Sequence, residues 1–164
     1  KPGEAAEKEY LVKAAFLYHF IRYTTWPPSA FGSERAPIVV LVVGEDPFGS
    51  HLRAALGDKL VGVRPIQIRN SEAVPEAIDA HVVFEGRLDK PERDKLLGLC
   101  KGRPVVLLGE RPGFAAAGAQ GNFYLEGANV RFEINVDAVK ASGLEISSQL
   151  KRLARIVHSE GSGE

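Results

Sequence analysis

The chain has 164 residues, 45% hydrophobic and 26% charged, a balance that fits a globular domain and excludes a disordered chain. That length suits one domain and buries a core without a disulfide or metal staple. Lys and Arg total 21, as do Asp and Glu, so the formal net charge is zero, which removes the electrostatic basis for nucleic acid or an anionic membrane as partner.

Cys100 is the single cysteine, so neither an internal disulfide nor a cysteine-rich metal site can form. The sequence contains no methionine, even at its start, as expected of a chain that follows a processing point such as a removed signal peptide. Its longest apolar run, residues 38–43, is far short of the ~18 residues of a membrane span.

In chain order, residues 4–25 read as a helix. Glu9 and Lys13 stand at i and i+4, and the apolar residues of 11–21 fall almost all round, interrupted by Lys13 and His19, which predicts a mostly buried helix. Pro27 and Pro28 end it. The continuous run 38–43 predicts a strand covered on both faces. Asp46 then suits an N-cap and Pro47 the first position of a helix running to about Leu56. Residues 64–69 alternate as a half-buried strand, residues 81–84 form a strand, 91–100 a helix with Leu96, Leu97 and Cys100 on one stripe, and 105–108 a buried strand. With a short helix between the second and third strands, the pattern is β-α-β-α-β-α-β, hence a mostly parallel sheet with helices on both faces. Residues 122–125 and 129–134 flank a Gly-containing turn and predict a hairpin. Ile146, Leu150, Leu153, Ala154 and Val157 recur at helical spacing with Ser147 as cap, predicting a C-terminal amphipathic helix. The expected architecture is one α/β sandwich domain over residues 4–158, with 159–164 as a tail.

The chemistry is sparse. The 44–49 turn has two glycines and two carboxylates where a dinucleotide fingerprint would place three glycines, and it reads as a capping turn. Neither a phosphate loop nor a nucleophile elbow is present in the sequence. His19, His51, His81 and His158 lack metal-ligand spacing, and His81 reads as a satisfied core histidine. Cys100, on an apolar stripe, reads as an inert buried thiol. No catalytic, cofactor or metal residues are assigned. The candidate ligand crevice lies outside the carboxyl ends of the strands, at Glu45, Asp46, Asn70, Glu85 and Glu110, residues that also suit ordinary turns and caps. An enzyme reading would rest on Asp46 or Glu45 and lacks a nucleophile–base spacing. A candidate partner or dimer surface comprises Trp26, Phe31, Arg152, Arg155 and His158. Trp26 nevertheless reads first as a core residue, and the basic end of the chain first as the cations that complement a helix C-terminus.

Three segments carry a wider likeness. The first holds Tyr10, Lys13, Phe16, Phe20, Trp26 and Pro27. The second holds Gly44, Pro47, Phe48 and Gly49, followed by residues 63–68. The third holds Arg131, Phe132, Ile134, Asn135, Gly143, Ile146, Ser147, Ser148 and Leu150. In order and spacing they resemble the YfiR-like family of bacterial periplasmic proteins over about residues 9–157. The resemblance implies an exported, non-catalytic α/β sandwich protein without a cofactor, tending to form a homodimer. It implies a repressor that binds the periplasmic sensor region of an inner-membrane diguanylate cyclase, or a related sensor protein, and holds down cyclic di-GMP and biofilm formation. A small-molecule binding module using the strand-end crevice is the alternative. One departure stands out: the well-studied branch uses cysteine pairs, whereas here Ala80 precedes His81 and Cys100 stands alone.

Overall fold

The computed structural model describes residues 2–159. Helix α1 spans Pro2–Tyr23, with Glu4 in its first turn and Arg22 in its last, complementing the helix dipole. Its apolar surface is one stripe rather than all round: Ala14, Leu17, Phe20 and Ile21 are fully buried, whereas Leu11 is 52% exposed. The helix stops two residues before the expected point, because the β-branched pair Thr24–Thr25 forms strand β1, antiparallel to β9 (Glu145–Ile146). A 3-10 turn over Pro28–Ala30 follows.

Strand β2, Ile38–Val43, is buried along its whole length, as its continuous apolar run predicts. Asp46 does not cap a helix. Its carboxylate accepts from the Phe48 amide two residues on, at 2.7 Å, which turns the chain, and α2 begins only at His51 and runs to Leu56. A short strand β3 (Leu60–Val61) then pairs antiparallel with the start of β4 (Arg64–Ser71) across a tight turn where Gly62 has φ of 62°. The expected short helix before the next strand is absent. Pro75 disfavours helical backbone at Val74, and Val74 and Ile78 instead insert as loop side chains into a core. Strand β5 (Val82–Glu85), helix α3 (Lys90–Cys100) and strand β6 (Val106–Gly109) match expectation, and Asp89 caps α3 by accepting from Glu92 N at 3.0 Å.

The hairpin is present as β7 (Gly121–Glu126) and β8 (Asn129–Asn135). Asn135 caps α4 (Val136–Ala141), a helix the periodicity did not signal. Ser147 does cap a C-terminal helix, α5, but that helix is the single turn Ser148–Lys151. Ile146 lies in β9, and Arg155–Val157, expected to continue the helix, form strand β10 parallel to β8. Ser159 is tied down by Asn135 and Asp137, and residues 160–164 of the expected tail lie outside the described residues.

The main sheet has the order β10-β8-β7-β6-β5-β2-β4-β3. It is parallel except at the β7–β8 and β3–β4 pairs. Helices cover both faces. On one, α1 and α2 bury Leu17, Phe20, Leu52 and Leu56 against Phe48, Phe84, Phe123 and Phe132. On the other, α3 and two loops bury Leu96, Cys100, Ile78 and Phe114 against Leu41, Val83 and Leu107.

Candidate functional site

The chain leaves β2 through α2 on one face and leaves β5 through α3 on the other, so the carboxyl ends of these neighbouring strands form the switch point where open α/β sheets bind ligands. Here two loops occupy that crevice. Gly86 N donates to Val43 O at 2.7 Å, and a Cβ on Gly86 would lie 2.4 Å from Glu45 O, so only glycine allows the backbones to approach this closely.

The predicted crevice residues sit at these strand ends, each beside a partner. Glu45 pairs with Arg87 at 3.0 Å, with both side chains more than half exposed. Asp46 accepts from Asn70 at 3.0 Å. Glu85 is fully buried, accepts from Arg111 Nε at 3.0 and 3.1 Å and from Leu88 N at 3.1 Å, and its pKa is raised because burial outweighs these contacts. Glu110 accepts from Tyr10 OH at 2.9 Å and from Lys13 Nζ at 2.7 Å. Lys13 is 3% exposed and also bonds Glu9. Burial, with the charge of Glu110, pushes the Tyr10 hydroxyl up to about 12. The structure thus joins Glu110 to α1, locks Glu85 under Arg111, and leaves Glu45 and Asp46 at the surface. Beside them a cleft of about 360 Å³ is lined by Glu7, Tyr10, Phe48, His51 and Arg87. Among the described residues, no group of three or more His, Cys, Asp or Glu could hold a metal ion.

The cations of these networks, Lys13, Arg87 and Arg111, are not among the predicted crevice residues, although Lys13 belongs to the family motif. For Lys13 the signal was there, in a lysine interrupting an apolar helix stripe. For Arg111 there was none, since its reach to Glu85 depends on how the loop after β6 folds back.

The candidate partner residues fall in separate places. Trp26 is 8% exposed and donates to His81 O at 3.2 Å, while Phe31 is half-buried and stacks on the His81 ring with centroids 4.4 Å apart. Arg152 is exposed after α5. Arg155 bonds Glu133 at 3.0 Å and lies over Tyr124, and His158 meets Asp137 at 3.2 Å. Arg155 and His158 therefore belong to β10 and the segment after it, not to a helix C-terminus. β10 is four strands from β5, about 19 Å at the usual strand spacing. Cys100 is 2% exposed, and burial pushes its thiol up to about 12.

Among the described residues no helix is long and apolar enough to cross a membrane. A family model described as YfiR/HmsC-like matches residues 10–155, nearly the whole length from α1 to β10 and across the strand-end networks just described. The chain belongs to the YfiR/HmsC-like family, a family of periplasmic regulators of cyclic di-GMP signalling.

Proposed function

We propose that this chain is a non-catalytic periplasmic repressor that binds the periplasmic sensor region of an inner-membrane diguanylate cyclase, or a related membrane sensor, and holds down cyclic di-GMP synthesis. The observation that carries this reading is the family match over residues 10–155. Two features support it. The carboxylates at the strand ends, where an α/β enzyme keeps its reactive groups, are engaged by Lys13, Tyr10, Arg87, Asn70 and Arg111. Large apolar side chains also stand at the surface, Leu11 at 52%, Leu125 at 48% and Leu153 at 66% exposure, and are accessible to a protein partner. A homodimer would use the same kind of surface.

The test is deletion of the gene together with co-purification of the protein with a membrane cyclase encoded beside it. The expected result is a retained cyclase and a rise in cellular cyclic di-GMP on deletion, reversed by the restored gene. A messenger level indifferent to deletion, with no cyclase retained, overturns the reading.

The cleft lined by Tyr10, His51 and Arg87 favours a second reading, a small-molecule binding module beside the loop-filled switch point. A ligand at 100 times its dissociation constant would add ~2.7 kcal/mol of stability, visible as a thermal shift that Arg87→Ala removes. Screening nucleotides, amino acids and carboxylates without any shift counts against it.

A further inference from the structure

Residues 26–37 form a strap that leaves β1 and returns to the amino end of β2, and its attachment centres on His81, the residue before β5. Both ring nitrogens are engaged. Nδ1 accepts from Val39 N at 3.0 Å, and Nε2 lies 2.8 Å from Ala30 O. An amide N–H can only donate and a carbonyl can only accept, so the neutral ring with its proton on Nε2 is the one form that makes both bonds. Around this ring the strap makes its other contacts. The Trp26 indole donates to the His81 carbonyl at 3.2 Å, and Phe31 stacks on the imidazole with an interplanar angle of 16°. Arg64 of β4 lies 3.5 Å from the Phe31 centroid and donates to the carbonyls of Ser33 and Ala36 at 2.9 and 2.8 Å.

We propose that His81 is a proton-sensitive latch: protonation of Nδ1 turns an acceptor into a donor facing the Val39 N–H and drives the ring off β2, while Nε2–H keeps its bond to Ala30, so that the ring carries the strap away from the amino end of the sheet and uncovers Trp26 and Phe31. The strap and β2 present uncharged groups to the ring: the Ala30 carbonyl, the Phe31 and Trp26 rings and the Val39 amide. Two charged groups act on it. Arg64, from β4, opposes the imidazolium, and Asp79, from the loop before β5, favours it. Burial opposes the charged form most strongly, and the ring titrates below its usual value. The latch therefore stays closed at neutral pH and opens under mild acid, a device independent of which membrane protein the chain binds.

Trp26 is the sole tryptophan, so its fluorescence reports the strap without ambiguity. The experiment follows Trp26 emission, Val39 amide exchange and the His81 ring resonances on the whole protein from about pH 8 to about pH 5, the span over which histidine charges. The expected result is a reversible red shift of Trp26 and loss of Val39 protection, sharing the midpoint of the His81 titration. His81→Gln abolishes the transition, and His158→Gln, at an exposed histidine, leaves it in place. A transition that persists in His81→Gln overturns the latch. So does a His81 ring that titrates while Val39 and Trp26 stay unchanged, or one that stays neutral until global unfolding. Should His81→Gln fail to fold, the three probes on the unmodified protein decide the matter by themselves.

Discussion

The two ends of the sheet are held by different chemistry. At the carboxyl ends, charge meets charge: Lys13 with Glu110 and Glu9, Arg111 with Glu85, Arg87 with Glu45. At the amino ends, a neutral imidazole joins a backbone N–H, a carbonyl and two aromatic rings. Arginine and lysine keep their charge across the whole biological pH range, so the first end is insensitive to mild acid from the cation side. Histidine does not, so the bond from Val39 N to the ring at the second end exists only while the ring is neutral. The same α/β sheet therefore carries a clamp whose cations keep their charge at one end and one built on a titratable imidazole at the other.

The largest expected effect probes the charged clamp. Arg111→Ala leaves the fully buried Glu85 carboxylate without its cation and should lower unfolding free energy in urea by about 3 kcal/mol, the low end for a broken buried pair because Arg111 is itself 35% exposed. Adding Glu85→Gln should recover part of that loss. If the single variant costs nothing, the buried end is not held by charge and the contrast collapses.

A smaller loss is expected at the imidazole end. His81→Gln should cost about 2 kcal/mol at neutral pH, within the range for a buried N–H left without its acceptor, here that of Val39. Because the folded protein favours neutral His81, its contribution is complete above the ordinary histidine pKa of about 6.5 and is lost as pH falls from there towards the lowered folded value. Glu85 works with the opposite sign. Its raised folded pKa means that the native state holds the proton longer than the unfolded one, so its contribution is lost as pH rises from about 4.3 through the folded value. Urea titrations across pH should show the His81→Gln curve flattened on the mildly acidic side, and Glu85→Gln should remove the opposing slope at lower pH. Curves superimposable on the unmodified protein's would contradict both assignments.

The smallest effect sharpens the comparison within one end. Glu45–Arg87 has the same charges as Glu85–Arg111 but lies in solvent, and Arg87→Ala should cost less than about 1 kcal/mol in the same measurement. A loss equal to that of Arg111→Ala would show that burial is not what separates the two pairs.

Much of the fold was legible from local pattern. The six-residue run of β2, the Pro91-containing α3 with its Asp89 cap and the Gly127 turn of the hairpin each follow from neighbours a few residues away. Where reading failed, a distant partner decided. Residues 155–157 have helical spacing, yet Arg155, Ile156 and Val157 pair with Glu133, Ile134 and Asn135, because a strand added beside β8 satisfies backbone groups that a solvent-exposed helix turn would leave to water. Thr24 and Thr25 likewise leave α1 to pair with Ile146 and Glu145. Asp46 was placed correctly as a turn residue and wrongly as a cap, since its two oxygens are taken by Phe48 N and by Asn70 on the neighbouring strand.

For the candidate site the division is similar. By itself the sequence determined that carboxylates stand at the ends of β2, β5 and β6, that a lysine breaks the apolar stripe of α1, and that one cysteine excludes an internal disulfide. These depend on order and composition alone. Tertiary structure decided which cation meets which carboxylate, that Gly86 lets two loops close the switch-point crevice, and that His81 gathers the strap. Apart from Glu9–Lys13, each of those contacts joins groups more than 20 residues apart, and the strength of the buried ones comes from burial, which the order of residues does not record.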